Sequence, residues 1–274
     1  MHAAHERTGA LVSGIEIARD GGIACLTLNR PDKRNAIDDA TRDALAEAFA
    51  GFDAEAAIRV VILTGAGTAF CAGVDLATPG NVPVQSAPPS GTTANPIVTR
   101  PRLTAPLDAF SKPVIAALNG VAVGGGLEMA LACDIRIAAA TARFGLTEVK
   151  IGSLPASGGT QRLVGAVGRS FAAQMLFTGE LISAEQALAS GLVSELHAPE
   201  VLMGRAFALA RIIAENAPLS LIAIKKALRA ATDLPLAAGF ELERSLYGAL
   251  TLTEDRQEGR KAFREKRKPN FKGT

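Results

Sequence analysis

The chain has 274 residues, 48% of them hydrophobic and 20% charged, with a formal net charge of +2. That length buries one sizeable core, or one core with a helical appendage. The near-neutral charge gives no ground for a nucleic-acid or acidic-membrane partner, and no apolar stretch reaches the roughly 18 residues that span a bilayer. Residues 1–14 are polar and Ala-rich, without an apolar run of signal-peptide length, so the expected compartment is the cytoplasm. The three cysteines, Cys25, Cys71 and Cys133, are widely spaced with no C-x-x-C, which argues against a disulfide framework or a zinc site. They read as small buried hydrophobes. The histidines are His2, His5 and His197, and they assemble no triad or metal cluster.

In chain order, residues 15–17, the Asp20-Gly-Gly turn and residues 23–28 predict a β-hairpin. A polar loop, Asn29-Arg-Pro-Asp-Lys-Arg-Asn35, follows. Asp38 then reads as the N-cap of a helix carrying Leu45, Phe49 and Phe52 at helical spacing. Residues 59–64 predict a buried strand ending at Gly65, and residues 70–76 a turn opening a helix. Residues 78–106, rich in Pro, Ser, Thr and Asn, read as a flap over the active site rather than a linker, because the strand pattern resumes beyond them. Residues 113–118 form a second buried strand, after which the run Gly124-Gly-Gly126 opens a helix bearing Glu128. The succession of strand, glycine, turn and helix thus occurs twice, a weak internal repeat of ββα character. Residues 134–138 read as a further strand. From Ser157 onward helices dominate: one capped by Ser183 and stopping at Gly191, a short strand at 192–196, then amphipathic helices at 200–216, 218–231, 235–250 and 254–267.

Two glutamates in glycine-bearing segments carry the chemistry. Glu128 closes Asn119-Gly-Val-Ala-Val-Gly-Gly-Gly-Leu-Glu128; Glu148 closes Phe144-Gly-Leu-Thr-Glu148. Paired carboxylates give and take protons, and glycines let backbone amides approach a developing negative charge. The combination points to chemistry through an oxyanion without a metal or covalent nucleophile. The glycine run lacks the third Gly of G-x-G-x-x-G and no Lys-Ser or Lys-Thr follows, which excludes a P-loop. The Gly152 and Ser157 segments do not form a nucleophile elbow. Read residue by residue, either glutamate is also compatible with a surface position. The apolar neighbours Leu127, Met129, Ala130 and Leu131 predict burial of Glu128, where a bare structural role is costly.

Taken in order, these segments resemble the crotonase superfamily, the enoyl-CoA hydratase/isomerase family, from about residue 15 to 271. The resemblance is carried by Asn29-Arg-Pro-x-x-x-Asn-Ala36, Phe70-Cys-Ala-Gly-Val-Asp-Leu76, Lys112-Pro-Val-Ile-Ala-Ala-x-Asn-Gly120, Gly124-Gly-Gly-Leu-Glu128, Cys133-Asp134, Phe144-Gly-x-x-Glu148, Pro155-x-x-Gly-Gly-Thr-Gln-Arg-Leu163, Thr178-Gly-Glu-x-Ile182 and the charged C-terminus from Thr253 to Phe271. It implies an α/β fold, a crotonase-like spiral of ββα units followed by a C-terminal helical trimerisation region. The expected division is an acyl-CoA-binding catalytic core over residues 1–200 and a helical oligomerisation region over residues 201–274. The implied assembly is a homotrimer, paired as a hexamer, and the implied substrate an acyl-CoA thioester, with coenzyme A part of the substrate and no separate cofactor.

The resemblance assigns the oxyanion hole to the backbone amides of Val74 and Gly125, each expected at a turn opening a helix, where the N-terminus favours negative charge. It assigns Glu128 to activation of water and Glu148, protonated, to delivery of a proton to the α-carbon. Substrate-binding roles fall on Lys33, Arg34, Ala36, Ala72, Gly73, Asp75, Leu76, Gly124, Pro155 and Ala156, and on Phe263 and Lys266 across a subunit boundary. Solvated surface charge is the other reading of Lys33 and Arg34, and a helix cap that of Asp75. His197 reads as structural, and Phe171, Met175 and Leu176 as core residues, with a place at the border of the pocket as their other reading. One departure from the pattern is Ala156, where the family commonly has glycine; its expected effect is on pocket size or water placement. The leading activity is hydration of a trans-2-enoyl-CoA. The alternatives are double-bond isomerisation through the same enolate and an acyl-CoA-binding scaffold without catalysis.

Overall fold

The computed structural model describes residues 10–77 and 101–274. Eleven strands occur among them: β1 (Ala10–Val12), β2 (Ile15–Asp20), β3 (Ile23–Leu28), β4 (Val60–Gly65), β5 (Ala69–Cys71), β6 (Val114–Leu118), β7 (Val121–Val123), β8 (Ile135–Ala139), β9 (Arg143–Gly145), β10 (Ile182–Ser183) and β11 (Glu195–His197). The α-helices are α1 (Asp39–Ala54), α2 (Ala105–Ala109), α3 (Gly125–Ala132), α4 (Gly159–Val167), α5 (Arg169–Thr178), α6 (Ala184–Ala189), α7 (Pro199–Ala214), α8 (Pro218–Asp233), α9 (Leu236–Leu250) and α10 (Glu254–Glu265). The segment expected as a flap lies outside the described residues except at 101–106, where Ala105 and Pro106 open α2.

Two sheets form. The larger runs β1-β2-β3-β4-β6-β8-β11, antiparallel through the predicted hairpin β2–β3 and parallel from β3 to β11. The smaller runs β10-β9-β7-β5. The pairs β4/β5, β6/β7 and β8/β9 each put a first strand in the large sheet and a three-residue second strand in the small one. The ββα succession read twice from the sequence therefore has three strand pairs, and this stepping of the chain between sheets is the crotonase-like spiral.

The continuous apolar run Val60-Val-Ile-Leu63 follows from burial on both faces of the parallel sheet. Successive side chains alternate between faces. Val61 and Leu63 join the core between the sheets, beside Phe70 and Phe144. Val60 and Ile62 join a second cluster with Leu202, Ala206, Phe207 and Ala210 of α7. Helix α7 thus packs against the large sheet. Phe171, Met175 and Leu176 also pack in or against the main core, as the core reading requires.

Local signals start the helices where expected. The Asp38 side chain accepts the Thr41 amide at the head of α1 (2.8 Å), and Ser183 with Gln186 forms a capping box on α6. The loop after β3 is held by Asn35, whose Nδ2 donates to the Ala66 and Ala69 carbonyls (2.9 and 2.8 Å) while its Oδ1 accepts the Arg30 amide (2.9 Å). This side chain fastens the Lys33–Arg34 loop to the β4–β5 turn. Asn35→Ala is expected to destabilise the protein by about 1–3 kcal/mol by leaving buried backbone groups short of a partner, read as a lower urea midpoint with an unchanged slope.

Helix α8 is tied to the core by charge. The buried Lys225 ammonium pairs with Asp134 (2.8 Å) and donates to the Lys112 carbonyl (2.6 Å). Helix α9 buries no residue and exposes Leu236, Phe240 and Tyr247. No single helix among the described residues is long and apolar enough to cross a membrane.

Candidate active site

Helix α3 starts where β7 ends, and the chain makes that turn at Gly124, whose φ of 52° and ψ of −128° suit only glycine. Glu128 lies one turn into α3 with 4% of its surface exposed. Its Oε1 accepts two backbone amides, Ser157 (2.6 Å) and Gly159 (2.9 Å), from the turn that opens α4. Pro155 is buried in the same turn, packed toward Gly159. Ala156 is exposed and its φ is not positive, so alanine fits there without backbone strain.

Glu148 opens the 3-10 turn Glu148–Ile151 that follows β9. Its carboxylate lies over the start of α3: a Cβ built on Gly124 would stand 3.1 Å from Glu148 Oε1. The other oxygen, Oε2, is buried and has no hydrogen-bond partner among the described residues.

These environments differ in a chemically useful way. Burial pushes the Glu128 carboxyl above its ordinary range, against the lowering pull of the Gly159 and Ser157 amides and the Arg162 guanidinium. Burial likewise raises Glu148; its own amide opposes this, and the Glu128 charge raises it further. Of the two carboxyls Glu128 is the better placed to hold a negative charge, because two backbone amides donate to it.

The amides of Val74 and Gly125 face one small space. Ile37 donates to the Gly73 carbonyl (2.8 Å) and accepts from the Asp75 amide (2.9 Å), a parallel bridge that leaves the Val74 N–H outside the pairing. Gly125 is the first residue of α3, whose leading N–H groups have no partner within the helix. A Cβ on Gly125 would lie 3.6 Å from the Val74 nitrogen, and one on Gly73 would lie 3.4 Å from the Gly125 nitrogen. Neither amide has an acceptor among the described residues. The expectation that both sit at helix starts holds for Gly125 alone. Val74 follows β5 in a bridge and is succeeded by a turn, with no helix through residue 77.

Residues 18–274 match the model of the family described as enoyl-CoA hydratase/isomerase. The chain belongs to the enoyl-CoA hydratase/isomerase family. It is 42% identical to a 2,3-dehydroadipyl-CoA hydratase of Escherichia coli, over 96% of this chain and all of that protein. It is 46% identical to an (E)-benzylidenesuccinyl-CoA hydratase of Thauera aromatica, over 92% of this chain and 96% of that protein. The crystal structure of an enoyl-CoA hydratase from Bacillus anthracis superimposes with a TM-score of 0.85 at 36% identity, covering 95% of this chain and all of that one.

In this crotonase-family site the remaining sequence candidates separate into two groups. Lys33 and Arg34 are exposed on a loop docked beside the Val74 amide, through the Ala72 amide to the Arg34 carbonyl (2.9 Å). Ala36 and Gly73 lie in the same strip, and Leu76, 75% exposed, ends it. The Asp75 carboxylate caps no helix among the described residues. It pairs with Arg30 (3.2 Å) and accepts the Ala77 amide (3.1 Å). Phe263 and Lys266 form the second group. Helix α10 packs on the C-terminal tail, whose Phe271 carbonyl accepts from Arg59 (2.6 Å) beside the start of β4, the end of that strand opposite Gly65. One chain therefore does not bring Phe263 and Lys266 to the glutamates, and His197 is occupied on the far edge by Glu195 (2.7 Å).

The sequence reading missed Ser157 and Gly159 as the partners of Glu128, and Leu103 as a wall of the amide space, its Cδ2 only 2.9 Å from a Cβ built on Gly125. The signal for the first two was present in Pro155-x-x-Gly-Gly-Thr-Gln-Arg, whose glycine pair leaves bare backbone beside a carboxylate.

Proposed function

We propose that this crotonase-family enzyme adds water across the 2,3 double bond of a trans-2-enoyl-CoA to give the 3-hydroxyacyl-CoA. The observation that carries the reading is the pair of carboxyls in unlike surroundings: Glu128 held by two amides, Glu148 with a buried oxygen lacking a partner among the described residues. In this reading the thioester oxygen accepts the Val74 and Gly125 N–H groups. Glu128 takes a proton from water as the water oxygen bonds to C3. Electron density moves through C2 to the thioester oxygen, the two amides stabilise the enolate, and Glu148 delivers its proton to C2. Proton exchange with solvent resets the pair. Dehydration is the reverse, and no cofactor is required beyond the coenzyme A of the substrate.

Lys33 and Arg34 are assigned to the coenzyme A phosphates, beside Ala36, Ala72, Gly73 and Leu76. Asp75 keeps the loop strip in place through Arg30. The exposed apolar side chains of α9 support a homotrimer, paired as a hexamer, with the helical region as its contact and with Phe263 and Lys266 reaching a neighbour's nucleotide; light scattering giving a monomer counts against this. The cytoplasm is the proposed compartment.

The test is hydration of crotonyl-CoA, followed by loss of the conjugated-thioester absorbance, beside 2,3-dehydroadipyl-CoA. Turnover is expected. A failure to hydrate either, with interconversion of 3-enoyl and 2-enoyl thioesters, moves the assignment to isomerisation. Hydration needs Glu128 ionised and Glu148 protonated, so kcat/KM falls as pH drops through the Glu128 pKa and as it rises through that of Glu148. Both carboxyls are raised from the ordinary glutamate value of 4.5, so the acid limb is expected above that value. An acid limb at or below 4.5 contradicts the assignment of the base.

A further inference from the structure

The two amides that hold Glu128 are separated by one peptide unit, the Ser157 carbonyl and the Gly158 amide. That carbonyl is doubly bound: it accepts Arg162 Nη1 (3.1 Å) and the hydroxyl of the fully buried Thr104 (2.9 Å). The Arg162 Nη2 pairs with Asp108 at the end of α2. Gly158 makes this possible. Its φ is +101°, and a Cβ there would fall 2.1 Å from Arg162 Nη1, so the guanidinium occupies the place a side chain would take. The Ser157 Oγ in turn accepts the amide of Leu103 (3.0 Å), whose side chain walls the space in front of Gly125. From the helical region, Arg229 on α8 donates to the carbonyls of Asp108 (2.7 Å) and Leu107 (2.8 Å), fixing the C-terminal end of α2.

We propose that Arg162, oriented by Asp108, is the positioning residue for Glu128: its forked guanidinium locks the peptide between the two donating amides and thereby sets the geometry and ionisation of the carboxylate. The inference rests on the hydratase reading for its consequence in turnover, but the arrangement itself is independent of the substrate. One planar guanidinium holds a carboxylate on one nitrogen and the carbonyl on the other, a two-way contact that a lysine point charge does not reproduce. Among the described residues, the charged groups facing Glu128 are Glu148 from the 3-10 turn, Arg162 from α4 and, through Arg162, Asp108 from α2. Of these only Arg162 favours the ionised form, in keeping with the lowering it exerts on the Glu128 carboxyl.

The test compares wild type, Arg162→Gln and Arg162→Lys in the full chain by two readouts. The first is a carboxyl carbon-13 NMR titration of glutamate-labelled protein, with Glu128 assigned by loss of its resonance in Glu128→Gln. The second is the kcat and KM of crotonyl-CoA hydration. In the glutamine variant Glu128 is expected to titrate about one pH unit higher, as for loss of a nearby opposite charge, with kcat down more than about tenfold and KM near wild type. The lysine variant is expected to recover most of the titration and part of kcat. A glutamine variant whose Glu128 titrates as in wild type overturns the proposal, as does a lysine variant no better than glutamine in both readouts. Should the glutamine variant not melt cooperatively, the lysine variant decides: wild-type titration together with wild-type kcat overturns the assignment, and a depressed kcat upholds it. If the wild type hydrates no enoyl-CoA, the hydratase reading falls while the titration still decides the role of Arg162.

Discussion

Glu128→Gln is expected to lower crotonyl-CoA hydration by about 10²–10⁴-fold, the usual worth of a general acid–base step, while coenzyme A ester binding stays at the wild-type level. Glutamine keeps the length of the side chain and one oxygen, so the amides of Ser157 and Gly159 retain their acceptor. What disappears is the capacity to take a proton from water. Stability gives a second check on the same variant. A carboxyl raised by burial opposes folding when it is ionised: the stability it contributes is present below its unfolded value and lost as pH rises through the folded one. The neutral amide is free of that loss, so the melting temperature of Glu128→Gln near pH 8 is expected at or above that of wild type. Loss of the Glu128 charge also removes one of the causes that raise Glu148. Hydration rates within threefold of wild type, or a melting temperature several degrees lower, would each contradict the place given to this carboxylate.

What was legible in the sequence was whatever its signal made local. The hairpin β2–β3, the Asp38 cap of α1 and the Ser183–Gln186 box of α6 each declare themselves within a few residues, and each formed where read. The strands β5, β7 and β9 did not, because three residues are too few to display a period. They became visible only once the large sheet had set the direction in which the chain steps. The packing partner of α7 was hidden for a related reason. Helix α7 is amphipathic whether its apolar face meets a sheet or another chain, and only tertiary packing put Leu202, Ala206, Phe207 and Ala210 against β4 and β6. In the site, both glutamates were nameable from their glycine-bearing segments, and the two amides from the family resemblance that those segments carry. Their supports were not, because the contacts cross the chain: Ser157 to Glu128 spans 29 residues, Arg162 to Asp108 spans 54, and Arg229 to Leu107 spans 122. The helix expected after Val74 illustrates the opposite error, since the short polar residue Asp75 that suggests a cap is bound to Arg30 and to the Ala77 amide instead.

Gly73→Ala tests the other half of the site, the amide pair, without touching an ionisable group. Gly73 has a φ of +96°, a conformation costly for any residue with a Cβ. Its carbonyl accepts the Ile37 amide and so fixes the bridge that leaves the Val74 N–H without an acceptor among the described residues. An alanine methyl would stand 3.1 Å from the Val123 carbonyl oxygen, tighter than ordinary contact, and 3.4 Å from the Gly125 nitrogen, at the edge of it, so either residue 73 or the start of α3 must give. Both movements spread the two donors, and a donor displaced from the thioester oxygen loses most of its effect on the enolate. The expected loss in kcat is about 10²–10³-fold, equivalent to roughly 3–4 kcal/mol of barrier for one oxyanion donor. The accompanying cost in stability is about 1–3 kcal/mol for the strained backbone. The two effects are separable by temperature: well below the melting transition the variant is folded, and a rate deficit that persists there belongs to the amides. The Glu128 carboxylate is bound by Ser157 and Gly159 and not by the Gly73 bridge, so the acid limb of the pH profile is expected to stay in place while its height falls. A Gly73→Ala enzyme with wild-type kcat in the cold would remove Val74 and Gly125 from the stabilisation of the enolate; a displaced acid limb would mean that the amide pair and the base are not the independent parts their geometry makes them.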